Sequence, residues 1–412
     1  MTETTETPPA VKTDWLSILQ LTGSLLGLLL VVLIAAVFTF LLFLLALSPN
    51  PSADSAVVFS IQLAGALLAG LILLSSAVLA LLKITQIPVQ IPPIWPPVRK
   101  LLHPKYWMAS IPLWLLAGHF SIQTNFLPWL VAPAAHVMIA AIPCLWLIWA
   151  ATRGLEKGSL QRTSGLSASG IMLSTGIAFF LEILVAVLIL FFLLRDLDNR
   201  MWMQELSWQI DNLSPDELFP VMYEKLNKPG ILFGFLAYIA ILVPVIEELI
   251  KPIGVWLLAG RKLTPAEGFT AGVISGAAFG LFENLVNAGE GASWAGLAAM
   301  RIGTTAVHVL TTGLMGWAWV NFWQNKKLLR LLLTYTTAVL IHGLWNSMAV
   351  VTSFADFQVQ SPVVPASFAV TGPIVLLLLA GGCLALLFYF NRKLKTAAGE
   401  PQDKLVDQIE IV

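Results

Sequence analysis

An all-α bundle that crosses a membrane about ten times is the fold this sequence predicts, and three observations predict it. Of its 412 residues, 58% are hydrophobic and 11% charged. Soluble domains average about 25% charged residues, so lipid must solvate most of this surface. Runs approaching the roughly 20 apolar residues that span a hydrocarbon core recur along the chain. Cations gather in alternate loops between those runs, as they do in polytopic proteins.

The runs fall near residues 16–47, 56–83, 106–124, 128–151, 166–194, 229–259, 268–288, 298–322, 329–351 and 369–391. No charge occurs between Asp14 and Asp54. That run exceeds a signal-peptide core of about 7–15 residues, so it reads as a first span. The third run is the weakest, being short and preceded by Pro88, Pro92, Pro93, Pro96 and Pro97.

Lys83, Arg99, Lys100 and Lys105 mark the second loop, and Arg153, Lys157 and Arg162 the fourth. Arg261 and Lys262 mark the sixth, Lys326, Lys327 and Arg330 the eighth, and Arg392, Lys393 and Lys395 the tail. Ten spans with both termini cytoplasmic satisfy every loop, in a cell membrane expected to be bacterial. The organisation that follows is a tail over 1–15, five N-terminal helices over 16–194, and an external loop over 195–228. A catalytic membrane core over 229–351, a loop with the last span over 352–391, and a tail over 392–412 complete it.

The external loop holds seven acids and four bases. Within it Ser214-Pro215-Asp216-Glu217 reads as a capping box with proline at the first helical position. Trp202, Leu206 and Ile210 form an apolar stripe before it, so a short surface helix is expected. Net charge is zero, with no basic arm, which excludes nucleic acid as a partner. Cys144 and Cys383 sit in separate apolar runs and read as buried small residues.

Ionisable residues inside spans mark function by default, because their insertion is costly. The sixth to ninth spans concentrate them. Glu247 and Glu248 lie between Pro244 and Pro252, and Lys251 follows at i+4 and i+3 on the same helical face. One acid can pair with Lys251, leaving the other as a base. In the seventh span Gly272, Gly276 and Gly280 recur every four residues ahead of Glu283, a stripe that admits a close neighbour. His308 lies in the eighth span; His342 and Asn346 share one face of the ninth. The bland alternative for each alone is a structural hydrogen bond, and His119, His136 and Glu182 take that reading. Helix rise places Glu248, Glu283, His308, His342 and Asn346 about 18–25 Å from one membrane boundary, in one slab.

The set Glu247-Glu248-x-x-Lys251, Phe279-x-x-x-Glu283, His308 and His342-x-x-x-Asn346 resembles the PrsW family of intramembrane proteases over roughly 230–350. That family is related to the type II CAAX prenyl endopeptidases and Abi proteins, so the resemblance implies a CAAX-protease-like core. It also implies hydrolysis of membrane-anchored protein or peptide substrates. By position, Glu247 would be the water-activating base supported by Glu248, with Glu283 assisting. His342 and Asn346 would stabilise the oxyanion, His308 would complete the site, and Lys251 and Phe279 would support it. Many PrsW-like members carry Asp where Asn346 stands, and the first five spans have no counterpart in the family pattern.

Amide hydrolysis needs a base, a proton donor and oxyanion donors, and these residue types supply them. Glu283, His308 and His342 form a candidate zinc set. No HExxH motif occurs, so a metal-free mechanism stays open at this level. A non-enzymatic scaffold and a proton- or cation-coupled transporter are the rivals. A rhomboid-like serine site has only Gly165-x-Ser167 as its trace.

Overall fold

A computed structural model describes residues 14–49, 52–89, 103–193, 195, 197–213, 221, 229–289, 291–356, 365 and 367–399. The expected capping box at Ser214–Glu217 lies outside the described residues. All regular structure among the described residues is helical. In chain order the helices are α1 Trp15–Leu47, α2 Ala53–Ile84, α3 Ile111–Thr124 and α4 Pro128–Ala151. They continue with α5 Leu160–Phe192, α6 Leu197–Asn212 and α7 Phe233–Trp256. The last four are α8 Pro265–Val286, α9 Trp294–Asn325, α10 Leu328–Asp356 and α11 Phe368–Gly399.

Eight of these are long and apolar enough to cross a membrane: α1, α2, α4, α5, α7, α8, α10 and α11. The two other expected spans differ for separate reasons. α9 has 32 residues, about 48 Å of helix, but is rich in Gly, Thr and Trp. It needs little apolar surface because it is buried along most of its length inside the bundle. α3 has 14 residues, about 21 Å, extended at its start by a 3-10 stretch over Pro104–Ser110. His103 packs its ring 5.3 Å from that of Trp149, near the end of α4, so this arm runs beside α4 for most of its length.

One end of the bundle is tied by polar contacts between helix termini. Asp14 pairs with Arg261 at 3.6 Å and Arg162 with Glu267 at 2.8 Å. Gln324 donates to the carbonyl of Leu263, and Asn391 donates to Ala151 and Arg153. The described ends of the chain, Asp14 and the α11 terminus, therefore lie on the same face, as alternating spans require.

Helix α8 forms the axis. Along its apolar stretch 83% of residues are buried, against 6% for that of α1, which lies on the outside of the bundle. It starts with a capping box: Thr264 Oγ1 accepts from Glu267 N, and Thr264 N donates to Glu267 Oε2 at 2.9 Å. Along α8 the glycine stripe meets α9 as expected. A Cβ on Gly272 would lie 2.2 Å from the Thr312 carbonyl oxygen, and one on Gly276 would lie 2.5 Å from that of His308. Only hydrogen fits at these points, so the two backbones are in contact there.

Two π turns shape the helices beside this axis, at Ser169–Ser174 in α5 and Tyr238–Leu242 in α7. In the second, the carbonyl of Ile239 would seek the amide of residue 244, five positions on. Pro244 has no N–H, so that carbonyl is left free. Asn346 Nδ2 donates to it at 3.1 Å from α10.

Candidate active site

Glu247 and Glu248 end the regular part of α7, on Val243–Ile250. The helix breaks at Lys251-Pro252 and resumes for one turn at Ile253–Trp256. The break frees the Lys251 carbonyl, which accepts from Ser275 Oγ at 2.9 Å and Ser174 Oγ at 3.3 Å. The backbone under the acids is thus held by α8 and α5.

Above that anchor, Lys251 Nζ lies 2.9 Å from Glu247 Oε2 and 2.7 Å from Glu248 Oε1. It is also 2.6 Å from His308 Nδ1 and 3.3 Å from His342 Nδ1. His342 Nδ1 lies 2.9 Å from Glu248 Oε1, and its Nε2 3.8 Å from Glu247 Oε2. The two imidazoles pack edge to face at 5.1 Å. Phe279 closes one wall, its ring 4.8 Å from Lys251 Nζ and 5.4 Å from the His308 ring. Glu248, Lys251 and His308 are wholly buried. The expected meeting of α7, α9 and α10 at one depth is therefore an actual contact.

Glu283 joins from α8. Its Oε2 lies 2.6 Å from His308 Nε2 and its Oε1 2.8 Å from Arg301 Nη2. With Glu283 accepting at Nε2, the His308 ring presents Nδ1 to the cluster. Gly280 permits this: a Cβ there would come within 3.1 Å of the His308 ring. Asn346 lies one turn beyond His342, but its amide is engaged by Ile239 rather than by the cluster.

Two residues were not weighed as functional from sequence. Arg301 lies on α9 two turns before His308, pairs with Glu283 and donates through Nε to Asn284 Oδ1 at 2.9 Å. An arginine within a predicted span is itself a signal, and one that sequence reading passed over. Glu182, read as structural, lies on α5 near enough to Glu247 for their charges to interact. His136 fits its structural reading, donating to the Asn284 carbonyl at 2.9 Å.

Donor chemistry for a metal is present. Glu247, His308 and His342 offer ligand atoms within 4.8 Å of one another. In this compact set Glu247 stands where Glu283 was expected, because Glu283 sits on the far nitrogen of His308 and is occupied by Arg301. Glu247 Oε2 is buried and faces Lys251 Nζ at 2.9 Å, so the ammonium is its partner here. A Glu-His-His set of buried side chains suits zinc.

No curated protein and no solved structure matches the chain. The family comparison does: residues 176–378 match the PrsW family intramembrane metalloprotease domain. The match takes in the second half of α5, the cluster on α7 to α10 and the start of α11. With eight membrane-length apolar helices, it supports an integral membrane protein whose residues 176–378 are similar to the PrsW family of intramembrane proteases.

Proposed function

We propose that this protein cleaves peptide bonds of membrane-anchored proteins within the bilayer, with Glu247 as the base that activates water. The observation that carries this reading is the buried Glu247 carboxylate, which shares a space of 4.8 Å with the two imidazoles of His308 and His342. Glu248 is held by Lys251 and His342, so it orients rather than abstracts. His342, its Nδ1 on Glu248 and its Nε2 facing Glu247, moves the proton from Glu247 towards the leaving amine and donates to the developing oxyanion. Asn346 carries a second amide N–H beyond the one given to Ile239, and serves as a further oxyanion donor one helical turn away. Glu283 and Arg301 hold His308 in one orientation.

With zinc or a similar divalent ion held by Glu247, His308 and His342, the metal would supply the Lewis acidity for water and carbonyl, and Glu247 and His342 would serve as ligands in place of their base and proton-carrier roles. The face that carries Arg153, Arg261 and Arg162 is the cytoplasmic one by the positive-inside rule, in a bacterial cell membrane.

The test is cleavage of a single-span reporter in reconstituted proteoliposomes. Glu247→Gln and His342→Ala are each expected to abolish it, and a chelator to suppress wild-type cleavage. Wild-type rates in both variants would remove the mechanism. Ion flux without any cleavage would favour a transporter, and neither would favour a scaffold.

A further inference from the structure

The centre of the cluster is filled by a side chain of the protein itself. Lys251 Nζ is within 2.6–3.3 Å of Glu247, Glu248, His308 and His342. Three of those four are the donors that lie within 4.8 Å of one another. A tetrahedral zinc with bonds of about 2.1 Å spaces its ligands roughly 3.4 Å apart, so it would draw the same three donors inward onto the same point. An ammonium and a divalent ion cannot share it.

We infer that the Lys251 ammonium and a divalent metal are alternative occupants of one position, so that Lys251 governs how tightly the Glu247, His308 and His342 set takes up metal. This rests on reading those three as the metal donors. The surroundings provide a second seat for the displaced ammonium. Glu248 lies outside the donor trio, and its Oε2 is buried with no hydrogen-bond partner. The Phe279 ring, 4.8 Å from Nζ, offers a cation–π face as well. Lys251 can therefore withdraw from the trio while staying paired to Glu248, and no buried charge is stranded. The break at Lys251-Pro252 places this residue outside the regular helix, with its backbone fixed through its carbonyl and its side chain left to choose between the two seats.

The experiment measures zinc affinity and stoichiometry in detergent, by calorimetry and by metal content after dialysis, independent of any cleavage. Lys251→Met combined with Glu248→Gln removes one charge of each sign and leaves the trio intact. It is expected to bind one zinc per chain at least ten-fold more tightly than wild type, and to lose that zinc when Glu247→Gln is added. Lys251→Arg, whose larger head cannot withdraw to the second seat, is expected to bind zinc at least ten-fold more weakly, and it covers the case in which the double variant does not fold. Unchanged or weaker zinc affinity in the folded double variant would overturn the competition while leaving the metal reading in place, as would wild-type affinity in Lys251→Arg. Absence of zinc binding in every form would remove the metal reading and this inference together.

Discussion

His308 and Glu283 are joined across α9 and α8 by a contact of 2.6 Å between Nε2 and Oε2. The other oxygen of the same carboxylate is held by Arg301 at 2.8 Å. His308 is thereby oriented by a carboxylate that is itself oriented, an arrangement in which the outer partner tunes the inner one.

Replacing Arg301 should act through this relay. Arg301→Gln is expected to lower cleavage by about 10–100-fold, the usual effect of an outer partner, with helical content unchanged. Reporter cleavage and circular dichroism check it. Arg301→Lys, which keeps the charge but loses the bond to Asn284, should recover part of the rate. Equal cleavage in all three forms would disconnect Arg301 from the site.

Glu247 and Glu248 should separate by stability although both substitutions end activity. Glu248 is wholly buried and bonds both Lys251 and His342. Glu248→Gln leaves Lys251 short of its closer acid and should cost about 3–5 kcal/mol, as broken buried pairs do. Glu247→Gln loses the longer of the two contacts with Lys251, at a side chain that is less completely buried, and should cost distinctly less. Thermal unfolding in detergent orders the two, and the reverse order would contradict the assigned roles.

At Gly276 the α8–α9 contact leaves no room, with a new Cβ falling 2.5 Å from the His308 carbonyl oxygen. Gly276→Val should destabilise by about 1–3 kcal/mol or more through forced separation of the helices. Because the carbonyl belongs to His308 itself, cleavage should fall as well. Gly382→Ala, where nothing lies within 4 Å of the new Cβ, should change neither. A melting temperature for Gly276→Val equal to wild type would refute the close packing.

Asn346 has a structural duty that its sequence pattern does not announce. Asn346→Ala strands the buried-side carbonyl of Ile239 that Pro244 already deprives of a partner, at a cost of about 1–3 kcal/mol. The expected result is a lower melting temperature together with slower cleavage. Slower cleavage at an unchanged melting temperature would leave only the oxyanion role.

The helical membrane architecture was legible in the chain because lipid imposes a simple composition rule on every span that faces it. That rule is weaker for α9, which is enclosed by protein and so admits Gly, Thr, Arg301 and His308 among its apolar residues. It fails for the arm before α4, only part of which is regular α-helix. The ionisable residues of the cluster were legible too, since a Glu or His within an apolar run has few cheap explanations. The glycine stripe on α8 predicted a close neighbour through its spacing alone.

Pairings were decided by tertiary structure. Spacing places Glu247, Glu248 and Lys251 on one face, but only the approach of α9 and α10 brings His308 and His342 around Lys251 Nζ. Glu283 shares the depth of the histidines, yet Arg301 and the far nitrogen of His308 claim it, which leaves Glu247 in the compact donor set. Depth is a one-dimensional property that helix rise carries in the sequence. Which side chains touch depends on rotation and crossing of helices, and those are settled by packing contacts between residues far apart in the chain.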